Sequence, residues 1–378
     1  MQLNTPWFKE LLAEHRHPCI SIYQPLSRPP ISGHPDAVEF GDLLRKAEAL
    51  LAGQEGQGAQ DAKAALERLE TFRKDNAFWR QHANSEGLAL FASPDYSRVV
   101  ELGRRVEPSV TVADSFHVKP LIRTLQQVQR YHVLCVELRH VRLFEGDPYR
   151  LTELPADDVP KSLDDVLATA STGPDFVDDH DRRDAQAEQN WAPPGRVSVA
   201  RFFRQVDEAV RDHYSRREQI PVIVVADVQY LRDFLAISKN EFVLKEGIPL
   251  NPHGVTPDRL RAEASRIVGR QFEQQLQVIK DAYQAAKARH LGSDEIPQVA
   301  EAAAVGRVGT LLVDSDAKIP GILHRDSGFL EQALPSDPRA DDILDDLAEM
   351  VLKTDGQVFV LPHAQMPTDH GAAAVYRY

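Results

Sequence analysis

At 378 residues and 42.3 kDa the chain exceeds one ordinary domain, and at roughly 100–200 residues per domain two or three are expected. A composition of 42% hydrophobic and 27% charged residues excludes a disordered or fibrous chain, and a formal net charge of −13 excludes a broadly basic nucleic-acid surface. A mean hydropathy of −0.38, with no apolar run near the ~18 residues of a membrane helix, excludes a spanning segment.

In chain order, residues 6–14 form a short amphipathic piece with Trp7, Leu11 and Leu12 at helical spacing. Cys19-Ile-Ser-Ile-Tyr23 alternates as a strand and halts at Pro25, and Pro29, Pro30 and Pro35 bar both helix and ladder. Residues 36–51 and 59–75 repeat apolar side chains with helical period: Val38, Leu43, Leu44, Ala47 and Leu51, then Ala62, Ala65, Leu66, Leu69 and Phe72. The glycines between them, 53 to 58, read as a flexible joint, because no strand precedes them as a phosphate-binding loop requires. Strands are expected at 87–91, 97–102 and 109–112, and a helix at 119–126.

Residues 131–138, 141–146 and 150–154 read as a hairpin sheet. The acidic stretch 155–195 follows, and its far half carries too few apolar residues to offset the entropy of ordering. Over 196–218, Val199, Phe202, Phe203, Val206 and Val210 form one apolar helical stripe, with Arg201, Arg204 and Arg211 off it. Pro221-Val-Ile-Val-Val-Ala226 is apolar on both faces, as a buried parallel strand is, and 227–237 supplies a return helix.

Pro249, Asn251-Pro252 and Gly254 mark a boundary, and Thr256-Pro257 gives an N-cap with proline at the first helical position. That helix is expected to reach about residue 290. A helix at 296–305 ended by Gly306, a strand at 308–313, a helix at 341–353 and strands at 357–361 and 372–378 complete the chain. Alternating helices and strands imply an α/β protein. The acidic excess lies in the second and last thirds, the first being nearly balanced. Cys19 and Cys135 stand in apolar, strand-like runs, which points to buried thiols in a reducing compartment. Met1-Gln-Leu-Asn-Thr5 lacks the features of a secretion signal, so a soluble cytoplasmic protein is expected.

Few residues advertise chemistry. Asp178, Asp179, His180 and Asp181 are metal-ligand types, but without apolar flanks or EF-hand spacing they read as a solvated acidic loop, a metal site being the alternative. His15, His17 and Cys19 alternate, yet no second Cys/His pair is near in sequence to complete a tetrahedron. The Gly-x-Ser-x-Gly elbow, the His-Glu-x-x-His pair, the Walker loop and the dinucleotide fingerprint are missing, so no catalytic residue and no cofactor are expected. Arg201, Arg204 and Arg211 suit phosphate, since the guanidinium fork donates two parallel hydrogen bonds. The competing reading is an ordinary solvated helix face shared with Asp207, Glu208 and Asp212.

Three groups of motifs carry a family resemblance. The first is Pro18-Cys-Ile-Ser-Ile-Tyr-Gln-Pro25 with Phe78-Trp-Arg80 and Gly87-Leu-Ala-Leu-Phe91; the second is residues 131–146, with Arg142-Leu-Phe-Glu-Gly146. The third is the C-terminal trio Val299-Ala-Glu-Ala-Ala-Ala-Val-Gly-Arg-Val-Gly-Thr-Leu-Leu-Val313, Gly356-Gln-Val-Phe-Val-Leu-Pro362 and Gly371-Ala-Ala-Ala-Val-Tyr-Arg-Tyr378. In this order they resemble the bacterial relatives of the archaeo-eukaryotic peptide-chain release factor and Pelota superfamily, most of all the third bacterial family.

The resemblance implies an α/β multidomain chain. Residues 1–127 would be an N-terminal α/β domain, 128–251 a ribonuclease-H-like middle domain holding the acidic loop 155–195, and 252–378 a C-terminal α/β domain similar to kink-turn-binding ribosomal proteins. Release factors hydrolyse peptidyl-tRNA with a Gly-Gly-Gln tripeptide before the long middle-domain helix. The equivalent stretch here, residues 175–195, ends Asn190-Trp-Ala-Pro-Pro-Gly195, and no Gly-Gly-Gln occurs anywhere in the chain. The stop-codon-reading motifs are missing too. Glu137 and Asp227 are the acids picked out beside middle-domain strands, short of a ribonuclease set. The resemblance therefore implies a factor that acts by binding, associated with the ribosome in translation or stalled-ribosome rescue. Trp191, Arg196, Arg201, Arg204 and Arg211 would face the ribosome or its tRNA site, and the C-terminal domain would take a protein partner. Neither membrane nor DNA is expected as a partner. The alternative is a metal-dependent hydrolase of RNA or a nucleotide, using Glu137, Asp227 and the 178–181 cluster.

Overall fold

The structure, a computed structural model, describes residues 5–27, 35–52, 55–83, 85–127, 130–170, 195–334 and 340–378. It opens with α1 (Pro6–Leu11), β1 (Cys19–Pro25), α2 (Pro35–Leu51), α3 (Gln57–Lys74), α4 (Asn76–Gln81), β2 (Gly87–Ala92), β3 (Ser97–Leu102), β4 (Ser109–Ala113) and α5 (Lys119–Gln127). The four strands form one antiparallel sheet in the order β3-β2-β1-β4. Strand alternation divides its two faces. Ile20, Ile22, Leu88 and Leu90 pack with Phe40, Leu43, Leu44 and Leu69 of α2 and α3. Cys19, Tyr23, Ala89 and Phe91 point the other way.

The middle of the chain runs β5 (Tyr131–Val136), β6 (Val141–Gly146), β7 (Leu151–Leu154), α6 (Leu163–Ala170), α7 (Arg196–Val210), a π turn (Arg211–Ser215) and α8 (Arg216–Glu218). It continues with β8 (Val222–Ala226), α9 (Val228–Ile237), β9 (Ile248–Pro249) and α10 (Pro257–Lys287). The sheet order is β7-β6-β5-β8-β9. β5, β6 and β7 pair antiparallel, whereas β8 joins β5 in parallel and β9 joins β8 in parallel. Leu134, Val136, Val222 and Val224 face α7 and α9. Tyr131, Val133, Cys135, Ile223 and Val225 face Leu260, Ala264 and Ile267 of α10. The apolar run 221–226 is thus a strand buried on both faces, as its sequence predicts.

The remainder comprises β10 (Gly292–Ser293), α11 (Ile296–Ala304), β11 (Val308–Asp314), β12 (Pro320–His324), β13 (Phe329–Gln332), β14 (Asp341–Asp342), α12 (Ile343–Lys353), β15 (Gln357–Leu361) and β16 (Ala372–Tyr376). One sheet has the order β10-β16-β11-β15, with β11 and β15 parallel, and a small sheet has the order β13-β12-β14. The hairpin β12–β13 goes unpredicted, because five- and four-residue strands show too little alternation. The helix expected from 341 starts after β14 at Ile343, where the Asp342 carboxylate accepts from Leu344 N–H at 3.2 Å.

By packing, the chain forms two compact units: Met1–Val128 with Leu276–Tyr378, and Gln129–Gln275. In the first, one continuous core joins Phe8, Phe91, Phe116, Val118 and Leu121 to Val299, Leu311, Leu344, Leu347 and Val351.

Candidate nucleic-acid interface

The orientation of α7 follows from its apolar spacing. Val199, Phe202, Phe203, Val206 and Val210 are buried against Leu134, Val136, Val222 and Val224. That stripe turns Arg201 and Arg204 outward onto an exposed face that also carries Val197 and Glu208. Neither arginine is paired with a described residue. Arg211 differs: its guanidinium lies along Asp212, with Nε 3.0 Å from one carboxylate oxygen and a second nitrogen 3.5 Å from the other. The hydrogen bond to Arg211 lowers the carboxyl of Asp212, which also takes Arg216 at 3.1 Å. Among the described residues, two of the three predicted arginines have no ionic partner and the third is neutralised. Arg196 begins the helix, but its side chain lies outside the described residues, as do Trp191, Asp178, Asp179, His180 and Asp181.

Asp207 corrects the picture of a solvated acidic neighbour. It is 2% exposed, and its carboxylate accepts from Ser238 Oγ at 2.5 Å, Lys239 N–H at 2.7 Å and Asn240 N–H at 3.2 Å. Asn240 Nδ2 in turn donates to Ser215 Oγ in the π turn at 2.8 Å. The end of α7 is thereby tied to the loop after α9.

The parallel register Cys135↔Val225 puts Glu137 and Asp227 just past the C-terminal ends of two neighbouring central strands. Asp227 caps α9, accepting from Gln229 N–H at 3.4 Å, and Glu137 Oε1 is buried without a described partner. Glu145 and Glu153 also stand on strands, an omission of the sequence reading, and Glu145 is taken by Arg130 at 2.7 Å. Among the described residues, triads of acid or imidazole ligands converge at Asp294, Glu295 and His370 and at Asp114, Asp341 and Asp346, and neither triad includes Glu137 or Asp227. His15 packs at a tilt against Tyr96 and Phe116 rather than joining Cys19. Both cysteines are buried free thiols, pushed up to about 12 chiefly by burial.

A dense polar cluster in the first unit lies beyond the sequence reading. The Asp345 carboxylate accepts from Val118 N–H at 3.1 Å and Lys119 N–H at 2.5 Å, with His117 Nδ1 3.3 Å away. Lys119 Nζ donates to Asp342 and to the Ala317 carbonyl. Arg325 reaches Asp346 at 3.1 Å and Glu349 at 3.0 Å. No sequence signal marks it, because α12 carries Asp345, Asp346, Glu349 and Lys353 and reads as amphipathic, yet the fold buries every residue from Ile343 to Val351, so the three acids must find partners.

Two units of layered α/β structure, one presenting an arginine face beside a five-stranded mixed sheet, define a multidomain α/β protein. Residues 130–307 match the family described as bacterial archaeo-eukaryotic release factor family 3, which bears out the resemblance read from the motifs. Among solved structures, an archaeal translation termination factor, aRF1, is 16% identical over 98% of this chain and 96% of its own, with a TM-score of 0.26. Ribosome-bound archaeal Pelota, solved with ABCE1, is 14% identical over 75% of this chain and 72% of its own, with a TM-score of 0.42. Dom34 of S. cerevisiae, a translation termination-like factor interacting with Hbs1, is 11% identical over 78% and 75%, with a TM-score of 0.39. At these identities and TM-scores the likeness assigns no role to any residue. No curated protein matches the sequence. Among the described residues, no helix is long and apolar enough to cross a membrane.

Proposed function

We propose that this protein is a ribosome-associated, cytoplasmic translation factor that works by binding, in stalled-ribosome rescue or a related step. The observation that carries the reading is the release-factor family match across the segment that presents Arg201 and Arg204. Among the described residues neither side chain has an ionic partner, and because the chain as a whole is acidic the proposed RNA contact is assigned to this local face. Trp191, Arg196 and Arg211 belong to the same proposed surface.

The proposal includes a ribonuclease-H-like middle domain. A sheet of order β7-β6-β5-β8-β9, with three antiparallel strands followed by two parallel ones, supports it. It also keeps the three sequence segments 1–127, 128–251 and 252–378, the first and last of which contribute to one core, and takes the last to be similar to kink-turn-binding proteins and to receive a protein partner. Without Gly-Gly-Gln, peptide release by the release-factor route is not part of the reading.

Cosedimentation with empty and stalled ribosomes across a salt series tests it. Binding at low salt that weakens steeply as salt rises is expected. Arg201→Glu with Arg204→Glu should abolish pelleting without loss of fold. The corresponding alanine pair should flatten the salt slope by about two, because each arginine neutralises one phosphate. Protein that stays in the supernatant with both ribosome preparations at low salt would overturn the reading.

A further inference from the structure

Asp294 and Glu295 follow β10, and His370 stands in the loop before β16. The antiparallel pairing Ser293↔Ala374 draws the two segments together. One ligand atom from each of the three side chains falls within 4.8 Å of the others. His370 Nδ1 is 3.6 Å from Asp294 Oδ2 and 3.8 Å from Glu295 Oε1. Those separations are too long for hydrogen bonds, but they approach the roughly 3.3–3.6 Å between ligands of a tetrahedral ion bound at about 2.0–2.2 Å.

A separate observation points to the same place. Tyr283 of α10 is 1% exposed, and its hydroxyl, directed at Asp294 and Lys287, makes no hydrogen bond of ordinary geometry. Buried phenols normally find a partner, so an orphaned one marks a place built to take something more.

Asp294 is not idle. Lys287 Nζ lies 2.6 and 2.7 Å from its two oxygens, and Thr368 Oγ1 donates to Oδ2 at 2.7 Å. The Lys287 side chain is 47% exposed and sits on the last residue of α10, so its ammonium can withdraw into solvent without disturbing the core. The other acidic triad differs, because Arg325 is held within it at 3.1 Å from Asp346 and 3.7 Å from Asp114.

We propose that Asp294, Glu295 and His370 form a binding site for a borderline divalent transition ion of the Zn²⁺ class, with the Lys287 ammonium as the resident cation that the metal displaces. The exchange is non-covalent: Lys287 leaves with its proton, and His370 offers Nδ1. Imidazole with carboxylates suits zinc-like ions better than the all-oxygen shells of Mg²⁺ or Ca²⁺. The site lies in the C-terminal segment and does not rest on the ribosome reading.

Full-length protein stripped with a chelator and titrated with ZnCl₂ against a chromophoric zinc indicator tests the proposal. Saturation at one ion per chain is expected, with MgCl₂ failing to compete. His370→Ala should weaken binding by about tenfold or more, since loss of an outer-shell partner alone costs that much. Lys287→Met should tighten it severalfold, which an unrelated surface histidine would not explain. Both side chains are about half exposed, and unchanged thermal melts of the metal-free variants would show that the fold survives. If His370→Ala does not fold, Glu295→Gln, also an exposed position, should give the same weakening. Wild-type affinity in His370→Ala, no tightening in Lys287→Met, or equal binding of Mg²⁺ would each overturn the site.

Discussion

Burial, and after it the charge of Asp345, lift the Asp341 carboxyl to about 6. The groups that face it are Asp114, His117, Asp345, Asp346 and Arg325. Because its folded value exceeds the 3.8 of a free side chain, the folded state holds the proton more tightly. The resulting stability is complete below about 4 and is lost as pH rises through about 6. Asp345 works in the opposite sense: burial, the largest influence, would raise it, but His117 and Lys119 together lower it, so its contribution is lost only in more acidic solution. In urea titrations, wild-type protein should lose stability relative to Asp341→Asn between pH 4 and 7, because asparagine mimics the protonated acid throughout. Parallel curves for the two proteins would show that Asp341 does not titrate in this window. None of this is legible locally, since Lys119 and Asp345 stand 226 residues apart in sequence. The arginines of α7 are legible, because a 3.6-residue apolar period fixes which side chains must point outward.

At the scale of elements, the outer edge of β15 is closed by a side chain. Gln126 of α5 donates its amide N–H to the Val358 carbonyl and accepts from Val360 N–H at 2.9 Å, as a neighbouring strand would. An open edge invites pairing with other chains, so this amide both satisfies and shields the strand. Gln126→Leu should cost on the order of 1–3 kcal/mol, because it strands two buried backbone groups. Amide exchange at Val360 should accelerate, and the variant should aggregate more readily on heating. Helices and long apolar strands announce themselves by period, and α2, α3, α7 and α10 all lie where the sequence puts them. The edge cover does not, since a glutamine in an amphipathic helix carries no mark of the strand it will meet.

At the scale of the molecule, the middle unit has its own cores on both faces of its sheet. Residues 129–275 expressed alone should therefore unfold cooperatively. Residues 1–128 expressed alone should not, because Phe8, Phe91, Phe116, Val118 and Leu121 are covered by α11, α12 and β11. A sharp thermal transition for the first fragment, with dye-binding or precipitation for the second, is the expected outcome. Prolines and glycines place breaks in the sequence well, but which separated segments share a core depends on contacts between residues hundreds of positions apart. That pairing is invisible to any local pattern.

The split core also sets a schedule for the protein's own synthesis. During translation the first 128 residues emerge early, yet the apolar face they present has no cover until the stretch from Leu276 onward is made. The whole middle unit can fold in that interval. A chain that stalls before α12 leaves its N-terminal sheet half-clothed and available to chaperones, so completion of this protein depends on an uninterrupted ribosome.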